Sequence, residues 1–245
     1  MSGHSKWHNI QAKKGKTDAA RAAVFTKIGR ELAVAAKGNP NPDTNSKLAD
    51  VIAKAKTANM PNENIKRSIA KAAGEMGDKD YKELTYEGYG VAGSAVIIKT
   101  LTDNVNRTAG DIRSAMGKCG GQMGATGCVS YMFDNKGVFV IERTVKLDED
   151  TMMEYCLEAE ADDYVVEDDV YEVYTTPEKW SQARKYFEEK GVTFLEAEIK
   201  MIPQNYITLE GDKLETFTKM LDKLEELDDV QSVYHNVELP EEDEE

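Results

Sequence analysis

The segment "YVVEDDVYEVYT", residues 164–175, decides how the second half of the chain folds. Its apolar residues predict two short strands, at 164–167 and 170–175, joined by an acidic turn. The surrounding elements are predicted as a strand at 137–142, helices at 150–160 and 177–190, and a strand at 193–201. The order β-α-β-β-α-β is that of a ferredoxin-like domain, with Trp180, Ala183 and Phe187 facing inward from the second helix.

A βαβ half-unit is predicted on each side of this domain. The first has a strand at 94–101, a helix at 108–119 and a strand at 128–133. The second has a strand at 206–209, a helix with Leu214, Phe217, Leu221 and Leu224 inward, and a strand at 230–237. Neither half has enough strands to cover its own helix, so we expect the two to join into one discontinuous domain.

Three amphipathic helices are predicted before these units. The first covers 17–37 and stops at Gly38, the second ends before Pro61, and the third runs from Asn62 to Gly74. The predicted class is α+β: an N-terminal three-helix bundle followed by two ferredoxin-like α/β domains, the second inserted into the first. The predicted layout is 1–80 for the basic arm and bundle, 81–135 with 204–240 for the discontinuous domain, 136–203 for the acidic insert and 241–245 for an acidic tail.

Charge is distributed unevenly along a chain whose net charge is −14. Residues 1–80 carry 15 basic and 8 acidic side chains, residues 81–135 carry 5 of each, and residues 136–245 carry 11 and 32. The N-terminal part is therefore +7 and the C-terminal part −21. Polyanion binding depends on the local field of the face presented, so the overall acidity does not exclude a nucleic-acid partner.

Several function classes lack the residues they need. His4 and His8 have zinc-pair spacing, but the only other histidine is His235, and no third ligand is evident. "GKT" at 15–17 lacks the first glycine of a phosphate loop, since position 10 is Ile10. Gly88, Gly90 and Gly93 fit GxGxxG but precede a strand, where turn glycines are the simpler reading.

No serine or cysteine stands in a nucleophile motif, and the scattered Cys119, Cys128 and Cys156 indicate neither disulfides nor a zinc ribbon. We expect no enzyme, no metal, no cofactor and no small-molecule substrate. The chain has no apolar run of the roughly 18 residues that a membrane span needs, and its start lacks a signal-peptide core. We therefore expect a cytoplasmic protein without a membrane partner.

The first predicted binding site is the basic N-terminal end. An aromatic residue, Trp7, lies among lysines, and several cations together can hold phosphates without reading bases. Trp7 could instead fold back and anchor the leader to the bundle. The predicted nucleic-acid-binding residues are Lys6, Trp7, His8, Lys13, Lys14, Lys16, Arg21, Lys27 and Arg30.

The second predicted site is the strand-to-helix junction "LTDNVNRTAGDIR" at 101–113. Helix N-termini attract anions, and an arginine there adds a planar fork for phosphate. Ordinary helix capping explains the same residues. The predicted secondary phosphate contacts are Asn104, Asn106, Arg107, Thr108 and Arg113.

Seven segments together resemble the YebC family of probable transcriptional regulators, which includes the mitochondrial translational activator of cytochrome c oxidase subunit I. They are "GHSKWHNI", "FTKIGRELAVAAK", "ANMPNENIKRSI", "YEGYGVAG", "LTDNVNRT", "GGQMGATGCVSYMF" and "VQSVYHNVEL". The resemblance runs from Met1 to about Leu239 and implies a helical domain and two α/β domains. Val91-Ala92 stand where the family pattern usually has proline and glycine. The family includes members described as DNA-binding regulators and members described as acting on translating ribosomes.

The residues favour one of these functions over the other. An extended basic arm with an aromatic residue suits structured RNA, whereas the second helix offers mainly Lys47, Lys54 and Lys56 rather than a set of side chains for base edges. The favoured hypothesis is a ribosome-associated translation factor that binds rRNA or tRNA. The alternative is a DNA-binding transcriptional regulator, and a phosphate-using enzyme ranks far behind both. The acidic domains could bind a protein partner.

Overall fold

The computed structural model describes residues 18–74, 81–144 and 147–240. Three helices come first, α1 (Asp18–Ala36), α2 (Ser46–Thr57) and α3 (Asn62–Gly74). Asn45 caps α2, because its side-chain oxygen accepts the backbone N–H of Leu48. The helices bury one apolar cluster between them, and this confirms the predicted bundle. Its buried members include Ile28, Leu32, Leu48, Ala55 and Ile65.

The α/β elements follow in chain order. The first group is β1 (Lys82–Tyr89), β2 (Ala95–Thr102), α4 (Val105–Gly117) and the two-residue β3 (Gln122–Met123). The second group is β4 (Phe133–Glu142), α5 (Glu149–Glu158), β5 (Asp163–Val166), β6 (Val170–Thr175), α6 (Pro177–Glu189) and β7 (Phe194–Pro203). The third group is β8 (Ile207–Thr208), α7 (Gly211–Glu225), β9 (Val230–His235) and β10 (Val237–Glu238).

The second group forms the inserted domain, with strand order β5-β6-β4-β7 and every pairing antiparallel. Counted within the domain, this is the order 2-3-1-4 expected for β-α-β-β-α-β connectivity. Helices α5 and α6 bury their apolar faces against the sheet around Phe139, with Trp180, Ala183 and Phe187 buried as predicted. The predicted α+β class, with one ferredoxin-like unit inserted into another α/β domain, is confirmed.

The first and third groups together form the discontinuous domain. Its sheet has the order β3-β1-β2-β9, again antiparallel throughout, and helices α4 and α7 pack on one face. β1 precedes β2 in the chain yet takes the place that the third strand has in the inserted domain. The two domains therefore share a spatial arrangement but differ in connectivity.

One strand prediction in this domain was wrong, and one strand was missed. The sequence reading placed a strand at 128–133, where the structure has a loop with a short 3-10 turn at Ser130–Met132. The carboxylate of Glu87 accepts backbone N–H groups in this loop, so they cannot join a strand ladder. β1 was missed because its glycines resembled a turn. β4 begins at Phe133, so its first three residues lie before the domain boundary predicted after residue 135.

A close contact at Gly137 in β4 yields a stability prediction. A Cβ atom there would overlap Thr175 Oγ1 and the ring of Trp180. Gly137→Ala should therefore lower the free energy of unfolding by about 1–3 kcal/mol, since overpacking a core strains its neighbours. Gly110→Ala is the control, because Gly110 lies inside α4 with nothing within 4 Å of its added Cβ. This change should add about 0.5–1 kcal/mol. Urea unfolding measures both, and equal effects of the two changes would contradict the packing argument.

Candidate nucleic-acid interface

Lys27 and Arg30, which the sequence analysis assigned to phosphate binding, face the α7–β9 turn. Lys27 Nζ donates to the carbonyl of Glu225 at 2.7 Å, and Arg30 Nη1 donates to the carbonyl of Asp228 at 2.7 Å. Burial lowers the pKa of Lys27. We call these contacts, together with the Arg30–Asp229 ion pair, the α1 docking contact. It holds the bundle against the discontinuous domain. Lys27 and Arg30, which helical spacing predicted to be on an open surface, are therefore engaged within the protein.

Asp229 joins the two predicted sites at one buried carboxylate. Its Oδ1 lies 3.0 Å from Arg30 Nη1, and its Oδ2 lies 2.6 Å from Arg107 Nη2. Oδ2 also accepts the hydroxyls of Thr108 at 2.8 Å and Thr102 at 3.1 Å. Burial alone would raise the pKa of Asp229, but donation by Arg107, Thr108 and Thr102 outweighs it, so the pKa lies below its ordinary value. Asp229 therefore stays ionised as the shared acceptor of two arginines.

The β2–α4 junction is built as a capped helix start. Asn104 is the N-cap, and its Oδ1 accepts the backbone N–H of Arg107 at 3.1 Å. The Arg107 guanidinium also contacts Asp103 at 2.9 Å, and the two carboxylates raise its pKa. Asn106 and Arg113 are exposed, whereas Thr108 is buried. Helix capping thus accounts for Asn104. The carboxylates of Asp103 and Asp229 bind Arg107, and Asp229 also accepts the hydroxyl of Thr108.

The remaining predicted residues are at the N-terminal end. Arg21 is exposed on the second turn of α1. Six residues of the predicted arm lie outside the described ranges: Lys6, Trp7, His8, Lys13, Lys14 and Lys16.

The sequence reading missed a set of exposed basic side chains on α3. We call Lys66, Arg67 and Lys71 the α3 basic face, and all three are exposed. Within residues 18–74 there are 10 basic and 5 acidic side chains, so the described bundle carries +5. These three residues lie off the apolar stripe formed by Ile65 and Ile69. That spacing is the sequence feature that could have predicted their exposure.

The lysines of α2 are largely engaged in ion pairs. Lys47 Nζ lies 2.5 Å from a Glu83 carboxylate oxygen, and Lys54 Nζ lies 3.0 Å from one of Glu31. Burial would lower the pKa of Lys54, but the carboxylates of Glu198 and Glu31 outweigh it and raise the pKa. Lys54 therefore helps to attach α2 to its neighbours, and Lys47 is paired with Glu83 at the surface, so neither lysine is uncommitted as a recognition helix for DNA would require.

A cleft of about 570 Å³ lies where the bundle meets both α/β domains. Its charged lining includes Lys54, Lys99 and Glu198. Lys99 Nζ lies over the ring of Tyr234, 5.3 Å from its centroid. Lys54, Glu198 and the Asp50–Arg184 ion pair (3.2 Å) link the bundle to the inserted domain. The paired charges of the cleft join domains and do not form an open anion site.

Within residues 18–74, 81–144 and 147–240, no group of three or more His, Cys, Asp and Glu side chains is arranged to hold a metal ion. In the same ranges, no helix is long and apolar enough to cross a membrane.

Two family matches together cover most of the chain. Residues 5–75 match the TACO1/YebC protein N-terminal domain, and residues 81–237 match the TACO1/YebC second and third domain. The chain belongs to the TACO1/YebC family. This confirms the resemblance read from the seven sequence segments.

TACO1/YebC relatives align with nearly the whole chain. A probable transcriptional regulatory protein of Hathewaya histolytica is 56% identical over 242 residues, covering 98% of each chain. Another, from Clostridium botulinum Eklund 17B, is 58% identical over 243 residues with the same coverage. The crystal structure of a conserved hypothetical protein from Aquifex aeolicus superimposes with a TM-score of 0.83 at 40% identity, covering 98% of this chain and 99% of the other.

Proposed function

We propose that this protein is a non-enzymatic, nucleic-acid-binding regulator of gene expression, and that it acts in the cytoplasm as a translation factor on the ribosome. It would contact rRNA or tRNA through its basic N-terminal end. The observation that carries the proposal is the separation of charge, with +5 on the described bundle and −21 on residues 136–245. Such a separation orients the basic end towards phosphate and keeps the acidic body away from it. The names of the relatives support a regulatory role.

The docking contacts change which residues we assign to the nucleic acid. Lys27 and Arg30 hold the bundle against the discontinuous domain, and Arg107 pairs with Asp229 inside that domain, so all three are left out of the proposed interface. The interface comprises the arm lysines, Arg21 and the α3 basic face, with Arg113 as an outlying exposed cation. Lys27 and Arg30 act indirectly, because they fix the helix that the arm leads into.

RNA is favoured over duplex DNA by the state of α2. A helix that reads the major groove presents uncommitted polar side chains to base edges. Here Lys47 and Lys54 are paired with Glu83 and Glu31 instead. A DNA-binding transcriptional regulator is the second candidate, supported by the relatives named as probable transcriptional regulatory proteins. The acidic inserted domain takes no part in either nucleic-acid contact, and we propose that it serves as a surface for a protein partner.

Crosslinking in cells, followed by sequencing of the attached nucleic acid, tests the proposal directly. Recovery of rRNA or tRNA fragments is the expected result. Enrichment of promoter DNA that persists in the presence of excess ribosomal RNA would favour the second candidate. Recovery of neither would contradict both.

Salt dependence tests the assignment of individual lysines. Replacing Lys13, Lys14 and Lys16 by alanine should lower the slope of log affinity against log salt by about 2–3, since each neutralised phosphate contributes about 0.7–0.9. Replacing the α3 basic face should have an effect of similar size. The control replaces three lysines of the inserted domain, Lys179, Lys185 and Lys190, and should leave the slope unchanged. Fluorescence anisotropy with labelled RNA at several salt concentrations measures all three. A slope that falls equally in the control would contradict the assignment.

A further inference from the structure

The loop at residues 120–133, "GGQMGATGCVSYMF", contains no charged side chain, although 31% of the whole chain is charged. We call residues 120–132 the uncharged loop. It connects α4 to β4, and Lys118, an exposed residue, stands just before it. In a protein of net charge −14, a surface segment without carboxylates is one that a polyanion can approach.

A buried carboxylate on β1 holds the uncharged loop in one conformation. Glu87 is only 5% exposed and accepts three backbone N–H groups, from Gly127 at 2.8 Å, Val129 at 2.9 Å and Ser130 at 2.8 Å. Burial alone would raise the pKa of Glu87, but these hydrogen bonds stabilise the carboxylate more strongly. The pKa of Glu87 therefore lies below its ordinary value. The negative charge of Glu87 is thus buried and engaged by the N–H groups of the loop itself.

Glycines allow the backbone of the loop to pack closely. A Cβ atom at Gly124 would overlap the sulfur of Cys128, and Gly127 has a φ of +87°, which other residues rarely adopt. The N–H of Gly124 donates to the Glu87 carbonyl at 2.8 Å. The loop is therefore an ordered surface in spite of its glycine content.

Two tyrosines present aromatic rings on this surface. Tyr131 is 71% exposed and Tyr89 is 41% exposed. Tyr89 Oη donates to the carbonyl of Cys128 at 2.9 Å, and this bond fixes the orientation of its ring. Tyr131 follows Cys128 by three residues, so the hydrogen bond of Tyr89 ties it to the same loop that carries Tyr131. Few large apolar side chains in the described ranges are as exposed as Tyr131; Leu157, at 74%, is on the inserted domain.

We propose that the uncharged loop is a second RNA contact, which binds unpaired nucleobases by stacking on Tyr131 and Tyr89. This inference rests on the proposed function and specifies its substrate as single-stranded RNA. Preordered aromatic rings are the usual platforms for unpaired bases, and stacking tolerates any sequence. Two other exposed residues of the same loop, Ala125 and Thr126, are small and offer no large aromatic or arginine anchor of the kind that dominates protein–protein interfaces. Lys118 supplies a cation for the adjoining phosphate.

Binding of a labelled 12-nucleotide single-stranded RNA by Tyr131→Ala tests the inference. The affinity should fall by about 5- to 150-fold, the measured range for loss of one base–aromatic stack. Tyr131→Trp should retain the wild-type affinity. The matched control is Leu157→Ala, which removes a similarly exposed apolar side chain from the inserted domain and should have no effect. Duplex RNA of the same sequence should bind Tyr131→Ala as it binds wild type, because its bases are already stacked.

Different results separate this inference from the proposed function. The salt slope of Tyr131→Ala should equal that of wild type, because stacking neutralises no phosphate. If Tyr131→Ala binds single-stranded RNA like wild type while the arm lysine variant loses affinity, the inference is overturned and the proposed function stands. An equal loss on duplex RNA would also overturn it. Unchanged RNA affinity combined with lost ribosome co-sedimentation would instead identify a protein contact. If wild type binds no RNA, the proposed function itself falls.

Discussion

Replacing Asp229 by asparagine is expected to lower the free energy of unfolding by about 3 kcal/mol at pH 7, the typical cost of removing one partner of a buried ion pair. The Asp229 carboxylate accepts Arg30 from α1 and Arg107 from α4. Asparagine keeps the shape and loses the charge, so both guanidinium groups would face a neutral amide. We expect α1 to separate first, because Arg30 is part of its docking contact. Urea unfolding and hydrogen exchange of the α1 amides measure the two effects.

The effect of this substitution should depend on pH in a defined direction. Folding lowers the pKa of Asp229, so its ionised form adds stability above the unfolded pKa of about 3.9. That stability is lost as the pH falls through the lower folded-state value. The difference between wild type and Asp229→Asn should therefore be complete at neutral pH and shrink below about pH 4.

The neighbouring aspartate provides the matched control. Asp228 is exposed, and its backbone carbonyl, which accepts from Arg30, remains after Asp228→Asn. This variant should stay within about 0.5 kcal/mol of wild type, as surface substitutions usually do. Equal unfolding midpoints for the two variants would show that the Asp229 carboxylate does not carry the docking contact.

Removing residues 1–16 is expected to weaken RNA binding by at least about 100-fold at 0.15 M salt and to abolish ribosome co-sedimentation. The segment contains four lysines, at positions 6, 13, 14 and 16. Each phosphate they neutralise is worth a factor of about four at this salt concentration by counterion release. The bundle core of Ile28, Leu32 and Leu48 lies outside the deleted segment, so we expect the truncated protein to fold.

The control is removal of the acidic residues 241–245, which should leave RNA affinity unchanged or raise it slightly. A thermal melt of each truncated protein distinguishes the two readings of Trp7. If Trp7 serves only to anchor the leader, losing residues 1–16 would lower the melting temperature while RNA affinity stays the same. Unchanged co-sedimentation of the truncated protein would contradict the proposed role of the arm.

The inserted domain and the bundle were predictable because their signals are local. Alternation in 170–175 and helical spacing around Trp180 and Phe187 each depend on residues within one element. The strand predicted at 128–133 failed for a non-local reason. Its N–H groups bond to Glu87, about 40 residues earlier in the chain, and nothing in the local pattern reveals that partner.

The predicted interface shows the same limit. Helical spacing correctly placed Lys27 and Arg30 away from the apolar stripe of α1. It could not show that the α7–β9 turn, 198 residues later, covers that side of the helix. The capping role of Asn104 was readable from the sequence, whereas the pairing of Arg107 with Asp229 was not.

The sequence by itself determined the helices of the bundle, the β-α-β-β-α-β insert and the separation of positive from negative charge, because periodicity and charge can be read from residues near one another. Only the tertiary structure decided which cations remain available to a partner. An ion pair forms between groups close in space, and for Arg30, Arg107 and Lys54 those groups are distant in sequence. The same holds for Glu87, whose internal hydrogen bonds make the uncharged loop an ordered surface.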